Sequence, residues 1–137
     1  MSFIRYKGKT KFVWMPVTPS TAITAGALVT FSSGKLIAAT SSTAAVDIAG
    51  VIRHTIASTD TDYASDRLVE VEVPLEKNVV YTADVTSGLV ATDLGLEVDL
   101  TDSLNVNRAA NSVKVVKCVG RLSATKGRFY IKTNGSY

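Results

Sequence analysis

Residues 25–53 read AGALVTFSSGKLIAATSSTAAVDIAGVIR, and their grammar decides the fold class: strand, tight turn, strand, polar loop, strand closing on Ala-Gly-Val. Ala25-Gly26 signals a turn into Leu28-Val29-Thr30-Phe31, and Ser32-Ser33-Gly34-Lys35 has the Gly and small polar residues of a short hairpin turn. Residues 38–45, AATSSTAA, carry no apolar stripe and fit a loop or a single helical turn. Ile48-Ala49-Gly50-Val51-Ile52 reads as a buried strand in which Gly50 marks a bulge or a close backbone approach.

A looser copy follows at residues 97–122, EVDLTDSLNVNRAANSVKVVKCVGRL. Val29 and Phe31 answer to Val98 and Leu100, and Leu36 and Ala38 to Leu104 and Val106. The loop at 40–43 answers to 109–112, and Gly50 to Gly120. The expectation is an internal pseudo-repeat (25–53 and 97–122) within one β domain spanning residues 21–137.

The remaining segments are also short strands. LVEVEVPL at 68–75 alternates strictly, so Val69, Val71, Val73 and Leu75 are expected inward, with Glu70 and Glu72 facing water or a partner. Val79, Tyr81, Ala83 and Val85 form the apolar face of the next strand, and Ser87-Gly88 turns the chain. Lys126-Gly127 leads into a last strand with Phe129 and Ile131 on one side and Arg128, Tyr130 and Lys132 on the other. No segment keeps helical periodicity over three turns. Turns every 8 to 12 residues predict an all-β small barrel, β-tulip-like domain or sandwich of antiparallel strands.

Residues 1–20, MSFIRYKGKTKFVWMPVTPS, differ in kind and read as an extended N-terminal arm closed by Pro16 and Pro19. Two placements are open. Phe12, Val13 and Trp14 form the first strand of the chain's own barrel, or residues 2–11 reach beyond the domain to a partner.

The net charge of +3 hides a segregation. Residues 1–46 hold five cations and no acid, residues 47–112 balance to −8, and residues 113–137 hold six cations. The ends suit an acidic surface and the middle a basic one, neighbouring copies included. A nucleic-acid binder would more often spread stacking aromatics among its lysines. At 137 residues the chain is expected to be one domain that needs no disulfide. Cys118 stands alone, has no internal partner, and fits a reducing cytoplasm. No apolar run approaches a membrane span or a secretory signal core, so the chain is expected to be soluble and unprocessed.

Catalytic chemistry has little to build on. His54 is the only histidine, sits beside Arg53, and has no second ligand at metal spacing, so it reads as a surface residue at a strand end. Asp60, Asp62 and Asp66 lie in a loop at 57–66 that lacks the glycine and terminal Glu of a calcium loop. No nucleophile turn, phosphate loop or zinc spacing is present. No catalytic, cofactor or metal residues are therefore expected, and a binding or structural module is.

The pattern Ala25-Gly26-Ala27-Leu28-Val29 with Gly34, the Thr40-Ser41-Ser42-Thr43 loop and Asp47-Ile48-Ala49-Gly50-Val51 resembles the head decoration (capsid cement) proteins of tailed bacteriophages. Gly95-Leu96-Glu97-Val98 and Val119-Gly120 are similar to the later part of that pattern, while the basic aromatic arm is not matched. The resemblance implies a non-enzymatic virion protein, assembled in the host cytoplasm, that binds the major capsid protein on the capsid exterior and stabilises capsomer contacts. It also implies a homotrimer and no cofactor. The arm residues Phe3, Ile4, Arg5, Tyr6, Lys7, Lys9, Lys11, Phe12 and Trp14 are then the expected capsid contact, and Glu70, Glu72, Arg128 and Lys132 possible electrostatic contact faces. Removing residues 2–14 is expected to leave the domain folded. Rival readings are another virion subunit (head-completion, tail-tube or fibre-base), a small-barrel single-stranded nucleic-acid binder, and a small hydrolase using His54.

Overall fold

The computed structural model describes residues 2–86 and 88–132. Ser87 of the expected turn, Met1 of the arm and residues 133–137 of the expected domain lie outside the described residues. Among the described residues eleven strands run in chain order: β1 (Ile4–Lys7), β2 (Thr10–Val17), β3 (Leu28–Ser32), β4 (Lys35–Ala38), β5 (Ile48–Ile52), β6 (Arg67–Pro74), β7 (Val80–Thr86), β8 (Glu97–Asp102), β9 (Asn105–Asn107), β10 (Val116–Ser123) and β11 (Lys126–Ile131). Single 3-10 turns at Ala45–Asp47 and Ala91–Asp93 are the only helical pieces among the described residues. The fold is all-β, and it is built from barrels.

Strands β2-β4-β3-β5-β6 close the first barrel. In the second half β7-β11-β10-β8-β9 form a sheet whose ends meet through a further β7–β9 pairing, with β1 added beside β7. The two halves use one wiring. The opening strand pairs antiparallel with the last (β2–β6, β7–β11) and parallel with the third (Val17 to Leu36, Val85 to Val106). The second strand pairs antiparallel with the third and fourth (β3 with β4 and β5, β8 with β9 and β10).

The duplication is therefore longer than the 25–53 and 97–122 units, since each copy also takes the strand before and the strand after. Two alignments shift. Leu36 corresponds to Val106 rather than Leu104, because β8 carries a bulge between Leu100 and Asp102 that its counterpart lacks. Gly50 sits opposite Val29, whereas Gly120 sits opposite Arg128 on the other side of its strand.

Local chemistry explains the first hairpin. Ser33 (φ 52°) and Gly34 (φ 80°) both occupy the left-handed region, which makes the two-residue turn whose twist matches the flanking strands. At Gly50 a Cβ would lie 2.4 Å from the Glu72 carbonyl oxygen and 2.8 Å from Val71 Cγ1, so only glycine admits this approach of β5 to β6. The expected close approach is observed, with a register shift beside it between Val29 and Thr30.

Inward residues alternate as the period of two requires. Met15, Val17, Val29, Leu36, Ile52, Val69, Val71 and Val73 fill the first barrel. Tyr81, Ala83, Val85, Val98, Leu100, Val106, Cys118 and Phe129 fill the second, whose core also receives Phe3, Leu28, Ala39, Ile48 and Val51. The second half returns one contact, since Leu104 packs on the first core. The Leu28 amide donates to the Ser103 carbonyl at 2.9 Å across the same junction. Leu75 departs from the expected inward set: it lies past the end of β6 and is exposed.

The N-terminal segment is extended and takes the first of its two placements. All of β2 pairs with β6, from Thr10 against Pro74 to Val17 against Arg67, while Ile4 and Arg5 of β1 pair with Thr82 and Tyr81. Residues 2–20 thus share their strands between both barrels instead of reaching beyond them. Removing residues 2–14 would take a wall out of the first barrel, so the expectation that such a deletion leaves the domain folded is corrected.

Candidate partner-binding surface

The expected contact residues divide by exposure. Phe3 is fully buried in the second core, where a phenyl ring contributes roughly 1.5–3 kcal/mol, so it is a packing residue and not a contact. Ile4, Arg5, Tyr6, Lys7 and Lys9 are exposed, and Lys11 is half-buried. Phe12 and Trp14 are 52% and 58% exposed because Val13, Met15 and Val17 take the inward positions of β2. Their cross-strand neighbours on β6 are Glu72 and Glu70, and Pro16 pairs with Leu68, itself 58% exposed. An apolar stripe therefore runs up the outside of the first barrel: Phe12, Trp14, Pro16 and Leu68. Leu68 and Pro16 escape a sequence reading that pairs no strands, and placing β2 against β6 is the signal that finds them.

Glu72 is not on a contact face. Its side chain is nearly closed to water, and it lies against Arg5 (Nε to Oε2, 3.3 Å) and Arg53 (Nη1 to Oε1, 3.9 Å). The Thr10 hydroxyl donates to Oε2 at 3.1 Å. The outward face of β6 at this level is covered by β1 and the second barrel, which overrules the alternation expected for a lone sheet. A carboxylate taken out of water needs such partners, because an unpaired one would cost several kcal/mol. Tyr81, from β7, has its phenol pushed well above the ordinary tyrosine range, first by burial and then by the Glu72 charge. The cluster fastens one barrel to the other.

Other ionic groups also serve the scaffold. Arg108 donates two 3.0 Å bonds to buried Asp93, whose Oδ2 also accepts the Val90 amide at 2.8 Å. That guanidinium, then the Val90 amide, hold the Asp93 carboxyl below the usual range. Asp99 accepts the amides of Ser112, Val113 and Lys114 at 2.8–2.9 Å and so pins the polar loop before β10. Thr30 occupies the equivalent place in the first copy, its hydroxyl donating to the Asp47 carbonyl at 2.7 Å. Lys132 is paired with Glu97, whose carboxyl that bond lowers. In the 57–66 loop Arg67 contacts Asp60 and Asp62, and Lys35 reaches Asp66 at 2.6 Å.

His54 is exposed just past β5, and burial pushes the Cys118 thiol up. Among the described residues no group of three His, Cys, Asp or Glu side chains could hold a metal ion, and no helix is long and apolar enough to cross a membrane.

Arg128 has a different setting from the other expected electrostatic residues. Its guanidinium carbon lies 3.6 Å from the centroid of the Tyr6 ring. Around it Tyr6, Lys7, Val80, Val119, Arg128 and Tyr130 line a shallow depression of about 270 Å³ on the second barrel. Two surface features of the described residues stand apart from the scaffold's interactions, the apolar stripe and this depression. Neither the family models nor the curated proteins searched contain a match to the chain.

Proposed function

We propose that this protein is a non-enzymatic structural component of a virion, which binds the outer surface of an assembled tailed-phage capsid and stabilises contacts between neighbouring capsomers. One observation carries the reading: Phe12, Trp14 and Leu68 stand exposed on the outside of a closed barrel, at positions where the duplicated strands carry Val80, Thr82 and Lys126. The fold does not call for aromatic side chains there, so their use lies outside the chain. Large rigid aromatics are the residues that carry most energy in protein interfaces. The resemblance of residues 25–53 to decoration proteins supplies the partner, the major capsid protein.

The mechanism is mechanical. Each copy need contribute only a modest apolar contact, because many copies bridging adjacent subunits oppose their separation together. A homotrimer, the state the resemblance implies, would multiply the stripes presented to the shell. The exposed Lys7 and Lys9 steer the approach to an acidic surface, and binding should weaken as salt rises.

The test is cosedimentation of the purified protein with expanded capsids that lack it, read together with the temperature at which those capsids rupture. Saturable binding that raises the rupture temperature is expected, and binding with no effect on rupture contradicts the stabilising role. Labelling of intact particles viewed by cryo-electron microscopy separates the capsid exterior from a head-completion, tail-tube or fibre-base location. The exposed Phe12 and Trp14 also favour a second reading, a single-stranded nucleic-acid binder that stacks bases on a small barrel. That reading requires a steep fall of oligonucleotide affinity with salt.

A further inference from the structure

Of the residues lining the depression on the second barrel, the virion reading uses only Lys7. Its floor is Val80 of β7 and Val119 of β10, its walls are the rings of Tyr6 and Tyr130, and its charges are Lys7 and Arg128. No acid lines it. Among the described residues neither Lys7 nor Arg128 belongs to an ion pair, although most cations nearby do: Lys126 with Asp84, Lys132 with Glu97 and Arg5 with Glu72. The register shift between Arg5 and Lys7 brings Tyr6 and Lys7, neighbours in sequence, to one hollow.

Arg128 is held with one face on the Tyr6 ring, which fixes the plane of its guanidinium. Its Nε–H is shut off from water and has no acceptor among the described residues. With Nε closed off, the two terminal nitrogens are what this fixed guanidinium offers to the hollow, and a carboxylate meets them end-on with two parallel hydrogen bonds.

We propose that this depression is a binding site for a glutamate or aspartate side chain of an acidic partner polypeptide. The valine floor and tyrosine rings take the aliphatic stem, the terminal nitrogens of Arg128 take the carboxylate end-on, and Lys7 adds a second positive charge. The volume suits one side chain, being below the roughly 300–1,000 Å³ of pockets that enclose a small-molecule ligand. A phosphate would use the cations and leave the valine floor and tyrosine rings without a role, which is why a polypeptide acid is favoured over nucleic acid. The site lies on the second barrel and the apolar stripe on the first, so failure of the peptide test below removes this inference alone and leaves the capsid reading to its own test.

The experiment titrates the intact protein with a fluorescein-labelled, end-capped peptide rich in Glu and Val, by anisotropy, and follows the Arg side-chain Nε–H signals by NMR. The signal that disappears in Arg128→Lys is Arg128, and it should shift on titration. Arg128→Lys keeps the charge but loses the two-pronged pair, so affinity should fall about tenfold, and Lys7→Glu, an exposed change, should lower it similarly. General attraction to a basic protein would leave Arg128→Lys unaffected and the Arg128 signal in place, and that result overturns the proposal. So does preferential binding of a dT oligonucleotide, or a Lys7→Glu protein whose only change is loss of self-association in the ultracentrifuge. A Tyr6→Leu variant, exposed and neutral, guards against misfolding at Arg128: it should weaken the peptide too, and unchanged affinity counts against the site.

Discussion

Equivalent strands of the two barrels agree on the inside and disagree on the outside. Val13, Met15 and Val17 of β2 correspond to Tyr81, Ala83 and Val85 of β7, and all six point inward. The outward positions carry Phe12, Trp14 and Pro16 in the first copy and Val80, Thr82 and Asp84 in the second. Their partners are Leu68, Glu70 and Glu72 on β6 against Lys126, Arg128 and Tyr130 on β11. A barrel needs its inner face to fill and its ladders to pair, and both copies meet that need. Glu72 apart, which fastens the barrels together, these differences are free of that need: the outward chemistry is aromatic on one copy and cationic and phenolic on the other.

The largest effect that can break this comparison lies at the glycines. Gly50→Val would drive a side chain into the Glu72 carbonyl and should cost about 3 kcal/mol or more, enough to open the first barrel. Gly120→Ala would meet only the Arg128 side chain, at 3.5 Å, and should stay within roughly 1 kcal/mol. Urea unfolding of the two variants checks the asymmetry, and equal losses would mean that the close approach at Gly50 is not a constraint.

The loop anchors come next. Asp99→Ala strips three amides of their acceptor and should cost about 2 kcal/mol, whereas Thr30→Val removes one bond and should cost about 1 kcal/mol. Thermal melts of the pair would test whether the copies solved one problem with unequal strength. A smaller effect is the response to acid. Asp93 and Glu97, both in the second half, have depressed carboxyl values, so their contribution is whole above the ordinary carboxylate range and is lost as pH falls through the depressed values. Stability should therefore decline below about pH 4, and Arg108→Gln should make that decline shallower. An unaltered acid profile in Arg108→Gln would remove Asp93 from the account.

Much of this was legible in the residues. Alternation along β6 and β7, the Ser33-Gly34 turn and the repeat of strand, turn and strand at Val29 and Val98 are local signals, and they point to a small all-β barrel or sandwich without choosing between them. The full extent of the duplication was hidden by unequal connections. The chain takes residues 53–66 to pass from β5 to β6 but only residues 124–125 to pass from β10 to β11, so the last strands fall out of step. Phe12 and Trp14 were expected at a contact as part of an arm, whereas their exposure comes from alternation along β2 with the inward-facing Val13 and Met15. Burial of Glu72 did not, because it depends on the second barrel and on β1, which no local pattern places. The depression was out of reach for the same reason: Tyr6, Val80, Val119 and Arg128 come from four strands.

The smallest stability effect is expected at the stripe itself, where Phe12→Thr with Trp14→Thr gives β2 outward residues like those of β7. Both side chains are more than half exposed, so the urea midpoint should move by no more than about 1 kcal/mol in stability. Cosedimentation of this double variant with capsids tests the central claim most directly. The account predicts a folded protein whose capsid affinity falls by at least about tenfold, the scale of losing interface aromatics. Undiminished binding by the folded variant would contradict it.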